Sequence, residues 1–169
     1  MDLLPVGVMR DGSYYTQIEW ASHTETDPCF WVCNIIRDDN ERRGGTWGAN
    51  TFGPADVVLS FFGEKQKVKR VKFYRNVGLD ISVIGELAKK VDIWYSNDDV
   101  YHKLRTKDDP IDGVEWTKVM SVDIERDWGW QEVILPETIE AKYMRFTLVE
   151  NDHETIDWTE MNQIKIFGE

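Results

Sequence analysis

Asp56-Val57-Val58-Leu59-Ser60-Phe61-Phe62, stopped by Gly63, is followed after four residues by Val68-Lys69-Arg70-Val71-Lys72-Phe73-Tyr74. In the second stretch Val71 and Phe73 alternate with Arg70 and Lys72, the period of two that places one face of a strand inward and the other in water. The same theme recurs at Tyr15–Trp20, Val91–Tyr95, Val114–Met120, Trp130–Leu135, Tyr143–Val149 and Gln163–Phe167, with Ser96-Asn97-Asp98-Asp99, Pro136 and Gly168 as punctuation. About eight short strands separated by turn residues predict an antiparallel β-sandwich or barrel. Helical signal is thin: Ile84–Lys90 and Asp27–Ile36 each offer a turn or two, too short to cover a parallel sheet. With 169 residues and no Pro/Ser linker or repeat, residues 1–169 read as one domain able to bury a core.

Charge narrows the partners. Twenty Lys and Arg against 31 Asp and Glu leave a formal net charge of −11, which repels phosphate backbones and anionic lipid. Lys65, Lys67, Lys69, Arg70, Lys72 and Arg75 lie close together, but on a strand they alternate between faces and make no continuous stripe. Nucleic acid and membrane are therefore not expected as partners. No apolar run approaches the roughly 20 residues that span a bilayer. The opening Met1–Arg10 lacks a basic stretch before an apolar run and does not read as a signal peptide. Either the protein stays inside the cell, or a leader and neighbouring domains precede Met1. Cys29 and Cys33 are expected as buried free thiols or as a local disulfide; two cysteines alone complete no metal site.

Chemistry-bearing motifs are sparse. His23, His102 and His153 have no metal-binding spacing, and no nucleophile elbow, P-loop or dinucleotide fingerprint is present, so the chain does not read as an enzyme. The long connections are the place to look for function: Arg37–Pro54, Arg75–Ala88, Ser96–Gly113, Ser121–Gly129 and Glu150–Met161. Seven of the eight tryptophans divide along the same line. Trp20, Trp94, Trp116 and Trp130 fall within or beside strands, whereas Trp47, Trp128 and Trp158 fall in connections.

Four segments in order carry a family resemblance from about Ile18 to Gly168. They are Asn34-Ile-Ile-Arg-Asp-Asp with Thr46-Trp47, then Val57-Val-Leu-Ser-Phe with the strand ending Tyr74-Arg75-Asn76. Val91-Asp-Ile-Trp-Tyr-Ser-Asn-Asp with Trp116-Thr-Lys-Val comes next, and Ala141-Lys-Tyr-Met-Arg-Phe with Glu160 ahead of Ile164-Lys-Ile-Phe-Gly closes the set. Together they resemble the discoidin-like, coagulation-factor type C modules, a galactose-binding-like family that includes the family 32 carbohydrate-binding modules. The resemblance implies an all-β jelly-roll sandwich of two antiparallel sheets. It also implies a non-catalytic glycan binder, extracellular or at the cell surface, in the setting of a larger glycoside hydrolase, with a neutral oligosaccharide or glycoconjugate as partner.

The resemblance further implies a structural Ca²⁺ held by oxygens from the first loop and a Glu near the C-terminus. Thr46 and Glu160 match, and Asp38, Asp39 and Asn40 offer oxygens, but Arg37 stands where the family Asp is expected unless the register shifts by one. The alternative is a solvated acidic turn. For the sugar, Arg75 and Asn76 match the position of the family's Arg, Trp158 beside Asp157 is the candidate stacking platform, and Trp47 and Asn50 come from the loop facing the same end. Each has a plainer reading: Arg75 as a strand-end ion pair, Trp47 as a core plug. Gly48 departs from the His that many sugar binders carry after the motif tryptophan. The Trp128-Gly-Trp130 pair is a second aromatic candidate, with Trp130 facing inward and Trp128 free to turn out. The rival function is a protein-interaction or adhesion domain, since exposed aromatics and an Arg also make hot spots; lipid binding is opposed by the charge.

Overall fold

A computed structural model describes residues 7–37, 45–75, 86–151 and 156–169. The strands are β1 Gln17–Ala21, β2 Trp47–Ala49, β3 Ala55–Ser60, β4 Gln66–Arg75, β5 Ala88–Ser96, β6 Thr117–Asp123, β7 Gly129–Ala141, β8 Tyr143–Asn151, β9 Thr159–Met161 and β10 Gln163–Phe167. They pair as a five-stranded sheet in the order β1-β3-β8-β5-β6, a three-stranded sheet β10-β4-β7 and a small ribbon β2-β9, every ladder antiparallel.

Alternation decides which side chains meet. Val57 and Leu59, Met144, Phe146 and Leu148, and Val91 and Ile93 point from the larger sheet toward Val71, Phe73, Val133, Leu135, Ile164 and Ile166 of the smaller one. Phe73 and Phe146 meet edge to face across the gap, with ring centroids 6.0 Å apart. Val58 and Ser60 are buried as well, on the outer face. The excursion between β5 and β6, which contains the short helix α1 (Val100–Lys103), lies over that face. Trp20, Val58, Val100, Leu104 and Val114 form a second apolar cluster under it, and Trp20 Nε1 donates to Thr106 O at 2.7 Å. Burial on both faces explains why Val57-Val-Leu reads as a continuous apolar run.

Several expectations need correction. Residues 88–90 belong to β5 and are not helical; they pair with the end of β8, Ala88 opposite Asn151 and Lys90 opposite Glu150. Asp27–Ile36 is two 3-10 turns, Pro28–Phe30 and Val32–Ile36, that turn Asn34 and Ile35 inward and leave Cys29 and Cys33 exposed and unbonded. β6 starts three residues later than Val114, because Val114 and Trp116 serve the outer cluster. Trp130 faces outward, opposite Tyr74 on β4, where Lys165 Nζ sits 5.6 Å from its ring centroid. The basic run does gather partly on one face: a bulge between Val68 and Arg70 resets the parity, and Arg70 and Lys72 share the outer face around the Phe167 ring. Arg70 is paired with Glu132 at 2.7 Å.

Candidate functional site

The registers bring the described ends of four of the five long connections to one end. Ala21 lies opposite Val57, Ala55 opposite Leu148, Ala88 opposite Asn151, Lys90 opposite Asp123 and Arg75 opposite Gly129. The segments after β1, β2, β4, β6 and β8 therefore emerge side by side, while the β5–β6 excursion lies toward the other end. Cross-links join them: Glu160 N donates to Glu86 O at 2.8 Å, Arg126 Nη1 to Leu87 O at 3.0 Å and Ile124 N to Lys89 O at 2.9 Å.

Trp158 is held in this cluster from several sides. Its Nε1 donates to Glu160 Oε1 at 2.7 Å, and its ring meets Phe30 edge to face at 4.9 Å. The ring also lies against Gly48: a Cβ there would come within 2.3 Å of Trp158 Cζ2. Position 48 is thus empty of side chain because the indole of residue 158 fills the space, which accounts for the Gly where a His was expected. Asn151 Nδ2 clamps the backbone beneath, donating to Ile156 O at 2.8 Å and Trp158 O at 2.7 Å. The ring is half-buried, with Asp157 exposed beside it. One step beyond the Ala49–Thr159 pair of the β2-β9 ribbon stand Asn50, exposed, and Trp158 itself.

Trp47 is fully buried and its Nε1 donates to His23 O at 3.1 Å, so it is the core plug and not a platform. Arg75 is also buried, at 3% exposure. Its Nε donates to Gly129 O at 3.1 Å, Nη1 to Glu125 at 3.1 Å and to Asp127, and Nη2 to Trp130 O at 3.4 Å. The guanidinium is committed to the loop Glu125–Trp130 and does not face a ligand; the strand-end ion pair is the reading that holds. What that loop presents is Trp128, 55% exposed, with Tyr74 edge-on at 6.3 Å; the Tyr74 ring also packs against Trp130 at 5.0 Å. Asn76 lies outside the described residues.

Of the implied calcium ligands, Asp38, Asp39 and Asn40 also lie outside the described residues. Thr46 is buried, and its carbonyl accepts the Asn34 amide at 3.0 Å. The same amide donates to Pro28 O and Cys29 O, while Arg37 Nη1 donates to Asn34 Oδ1 at 3.2 Å. An amide nitrogen thus collects three carbonyls of this turn. Among the described residues no three His, Cys, Asp or Glu form a metal cluster. Of the implied carboxylate ligands Glu160 is described: burial pushes its carboxyl up to about 7, with Glu86 adding to the rise and the Trp158 indole opposing it.

Solved structures with the same architecture can be set beside this geometry. A family 32 carbohydrate-binding module of Streptococcus pneumoniae EndoD superposes with a TM-score of 0.67 at 12% identity, covering 91% of this chain and 96% of that one. The chain has the fold of the family 32 carbohydrate-binding modules. Two modules from Clostridium perfringens agree. One, in complex with GalNAc-β-1,3-galactose, has a TM-score of 0.65 at 10% identity over 90% of this chain and 95% of that one. The other, from NanJ in complex with galactose, has 0.63 at 12% identity over 89% and 92%. No protein-family model matches the sequence, and no curated protein matches it.

The sandwich makes some of the site's residues intelligible only in three dimensions. Trp158 and Glu160 are two apart on one strand edge and share a face, a signal the parity rule contains. The Gly48–Trp158 contact and the Arg75 partners at Glu125 and Asp127 join residues tens of positions apart and leave no local signature.

Proposed function

We propose that this chain is a non-catalytic carbohydrate-binding module that recognises neutral glycans at its loop end. In this reading it acts outside the cell or at its surface as an ancillary part of a larger glycan-processing protein. The observation that carries the reading is the Trp158 ring, braced by Gly48, Phe30 and Glu160 yet partly open to solvent where the loops converge. A braced aromatic loses little freedom on binding, and its face suits the C–H side of a pyranose. Asp157 and Asn50 stand next to it with the polar atoms that hydroxyls require, and Asn76 is proposed to join them. Arg75 is a positioning residue that shapes the neighbouring loop. The ligand class is supported by the fold-level neighbours that hold galactose and GalNAc-β-1,3-galactose.

A single shallow site of this kind should bind with a dissociation constant on the order of 0.1–1 mM and gain strength through linkage to other modules. Calorimetric titration with a panel of neutral sugars, galactose, N-acetylgalactosamine and N-acetylglucosamine among them, is the test. Trp158→Ala is expected to weaken binding at least tenfold while Trp128→Ala leaves it within twofold; unchanged affinity in Trp158→Ala removes the platform.

Calcium is proposed as a structural ion held by Glu160 with Thr46 and oxygens from Asp38, Asp39 and Asn40, where it would tie the first loop to the last ribbon. The metal-free chain makes a separate prediction. Below about pH 4.5 Glu160 is protonated in both folded and unfolded chains; between about 4.5 and 7 only the unfolded chain releases the proton. Stability therefore falls across that window, by up to about 3 kcal/mol less whatever solvent screens. In chelator, the urea midpoint of Glu160→Gln, which keeps an acceptor for the indole, is expected to fall less than that of the native chain from pH 4.5 to 7.5. At pH 7.5, added Ca²⁺ should raise the native midpoint and leave the variant's in place. Equal pH slopes in the two chains would contradict the assignment.

A protein-interaction role is the second reading, favoured by the exposed Trp128 grouped with Tyr74 and Trp130 on a sheet face. In that case Trp128→Ala, and not Trp158→Ala, is the variant that loses its partner.

A further inference from the structure

The end of the sandwich opposite the loops carries a feature that the loop-end site does not use. β3 and β4 are joined by a two-residue turn in which Phe61 and Glu64 bridge and Glu64 N donates to Phe61 O at 3.2 Å. Both central residues have positive φ, Phe62 at +56° and Gly63 at +87°. Hairpin turns of that pattern favour Asn, Asp or Gly at the first position, because a larger side chain crowds its own backbone there. Among the described residues Phe62 is the only non-glycine at positive φ. Burial offers little in return: the residue is 62% exposed. A bulky apolar residue that is both strained and solvated raises the question of what it serves outside the fold.

What surrounds it says what that is. Phe62 borders an open cleft of about 380 Å³ whose other walls are Gly7, Tyr15, Phe61, Glu64 and Gln66. Tyr15 is 52% exposed, Phe61 is buried at 3%, and the ring of Tyr14 packs edge-on against Phe61 at 5.3 Å. The Tyr15 backbone is fixed by its N–H to Gly7 O at 2.9 Å. Two exposed aromatic rings thus share a depression with one carboxylate and one carboxamide. An apolar peptide side chain would use only the aromatic walls, and an anion would meet Glu64. A neutral sugar ring satisfies both halves, with C–H faces for the aromatics and hydroxyls for the carboxylate and amide.

We infer that Phe62, Tyr15, Glu64 and Gln66 form a second glycan subsite, at the opposite end of the sandwich from Trp158. It takes its ligand class from the reading above, but its residues, and so its test, are separate. Two ligand points on one domain would let the chain bridge two glycans.

The test is an amide-resolved NMR titration of the full chain with galactose, N-acetylgalactosamine and N-acetylglucosamine. Amides of Phe62, Gly63, Glu64 and Gln66 should shift and saturate in the millimolar range, independently of those of Gly48 and Trp158. Phe62→Gly is the informative variant: it relieves the positive-φ strain, so its Tm should rise by a few degrees while the shifts at residues 63–66 are lost. Tyr15→Ala should lose them as well, with the Trp158 set retained. Three outcomes overturn the inference. Residues 62–66 stay still with every sugar; or Phe62→Gly saturates as the native chain does; or these amides broaden with protein concentration in the absence of sugar, which marks a contact between copies. Shifts at 62–66 with none at Trp158 leave this inference standing and remove the loop-end reading instead.

Discussion

Trp47→Ala is expected to lower the stability of the fold by about 3–5 kcal/mol, a large share of the roughly 5–15 kcal/mol typical of a domain. The side chain is fully buried, and it occupies the start of β2 where the small ribbon meets the main core. Truncation removes the largest ring of the core and leaves a void that strands on both sides cannot close, since β2 is pinned to β9 by its register. It also deprives His23 O of its donor. Equilibrium urea unfolding measures the loss. Trp47→Phe separates the two parts: it should recover most of the packing and leave a deficit of about 1–2 kcal/mol from the missing N–H. A loss below about 1 kcal/mol in Trp47→Ala, coupled with weakened sugar binding, would return Trp47 to the list of ligand contacts.

Asp56→Ala should cost a similar amount, about 3–5 kcal/mol, for an electrostatic reason. Asp56 and Arg145 lie side by side on the outer face of the five-stranded sheet, 7% and 8% exposed, with Arg145 Nε donating to Asp56 Oδ1 at 2.8 Å. The guanidinium sits 4.8 Å from the Trp94 ring centroid and 5.6 Å from that of Trp116, so water reaches it poorly. Thr147 Oγ1 donates to the same Asp56 oxygen and accepts Trp94 Nε1 at 3.1 Å. Removing the carboxylate leaves a buried cation without its counter-charge and a hydroxyl without its acceptor. The double variant Asp56→Ala, Arg145→Met tests the cause, because an apolar pair restores what a stranded charge loses. It should recover most of the deficit in urea unfolding, whereas a purely steric role for Asp56 predicts a further loss.

These two sites show which parts of the molecule a sequence can carry. The strands with clean alternation, such as Val71 and Phe73 against Arg70 and Lys72, are placed as their period dictates, and the jelly-roll expectation agrees with the fold. The ribbon β2-β9 was illegible because three residues hold no period, and one of them, Gly48, is there for the sake of a ring at position 158. Asp56 and Arg145 are 89 positions apart, so nothing local marks them as a pair. Trp158 and Asp157 are candidates from their place in the last long connection, and Asn50 from the resemblance. The commitment of Arg75 to Glu125 and Asp127 could not, since a strand-end Arg looks alike whether it faces a sugar or its own loop. The strain at Phe62 is likewise invisible until the backbone is seen.

The indole N–H resonances of the eight tryptophans offer the most direct measurement of the central claim. In a titration with neutral sugars, the Trp158 indole, bonded to Glu160 at the loop end, should move and saturate. Those of Trp47 and of Trp20, Trp94 and Trp116, which are buried or bonded away from that end, should hold still. A saturating sugar response in which Trp158 is the indole that does not move, or no response from any indole to any glycan, would contradict the account.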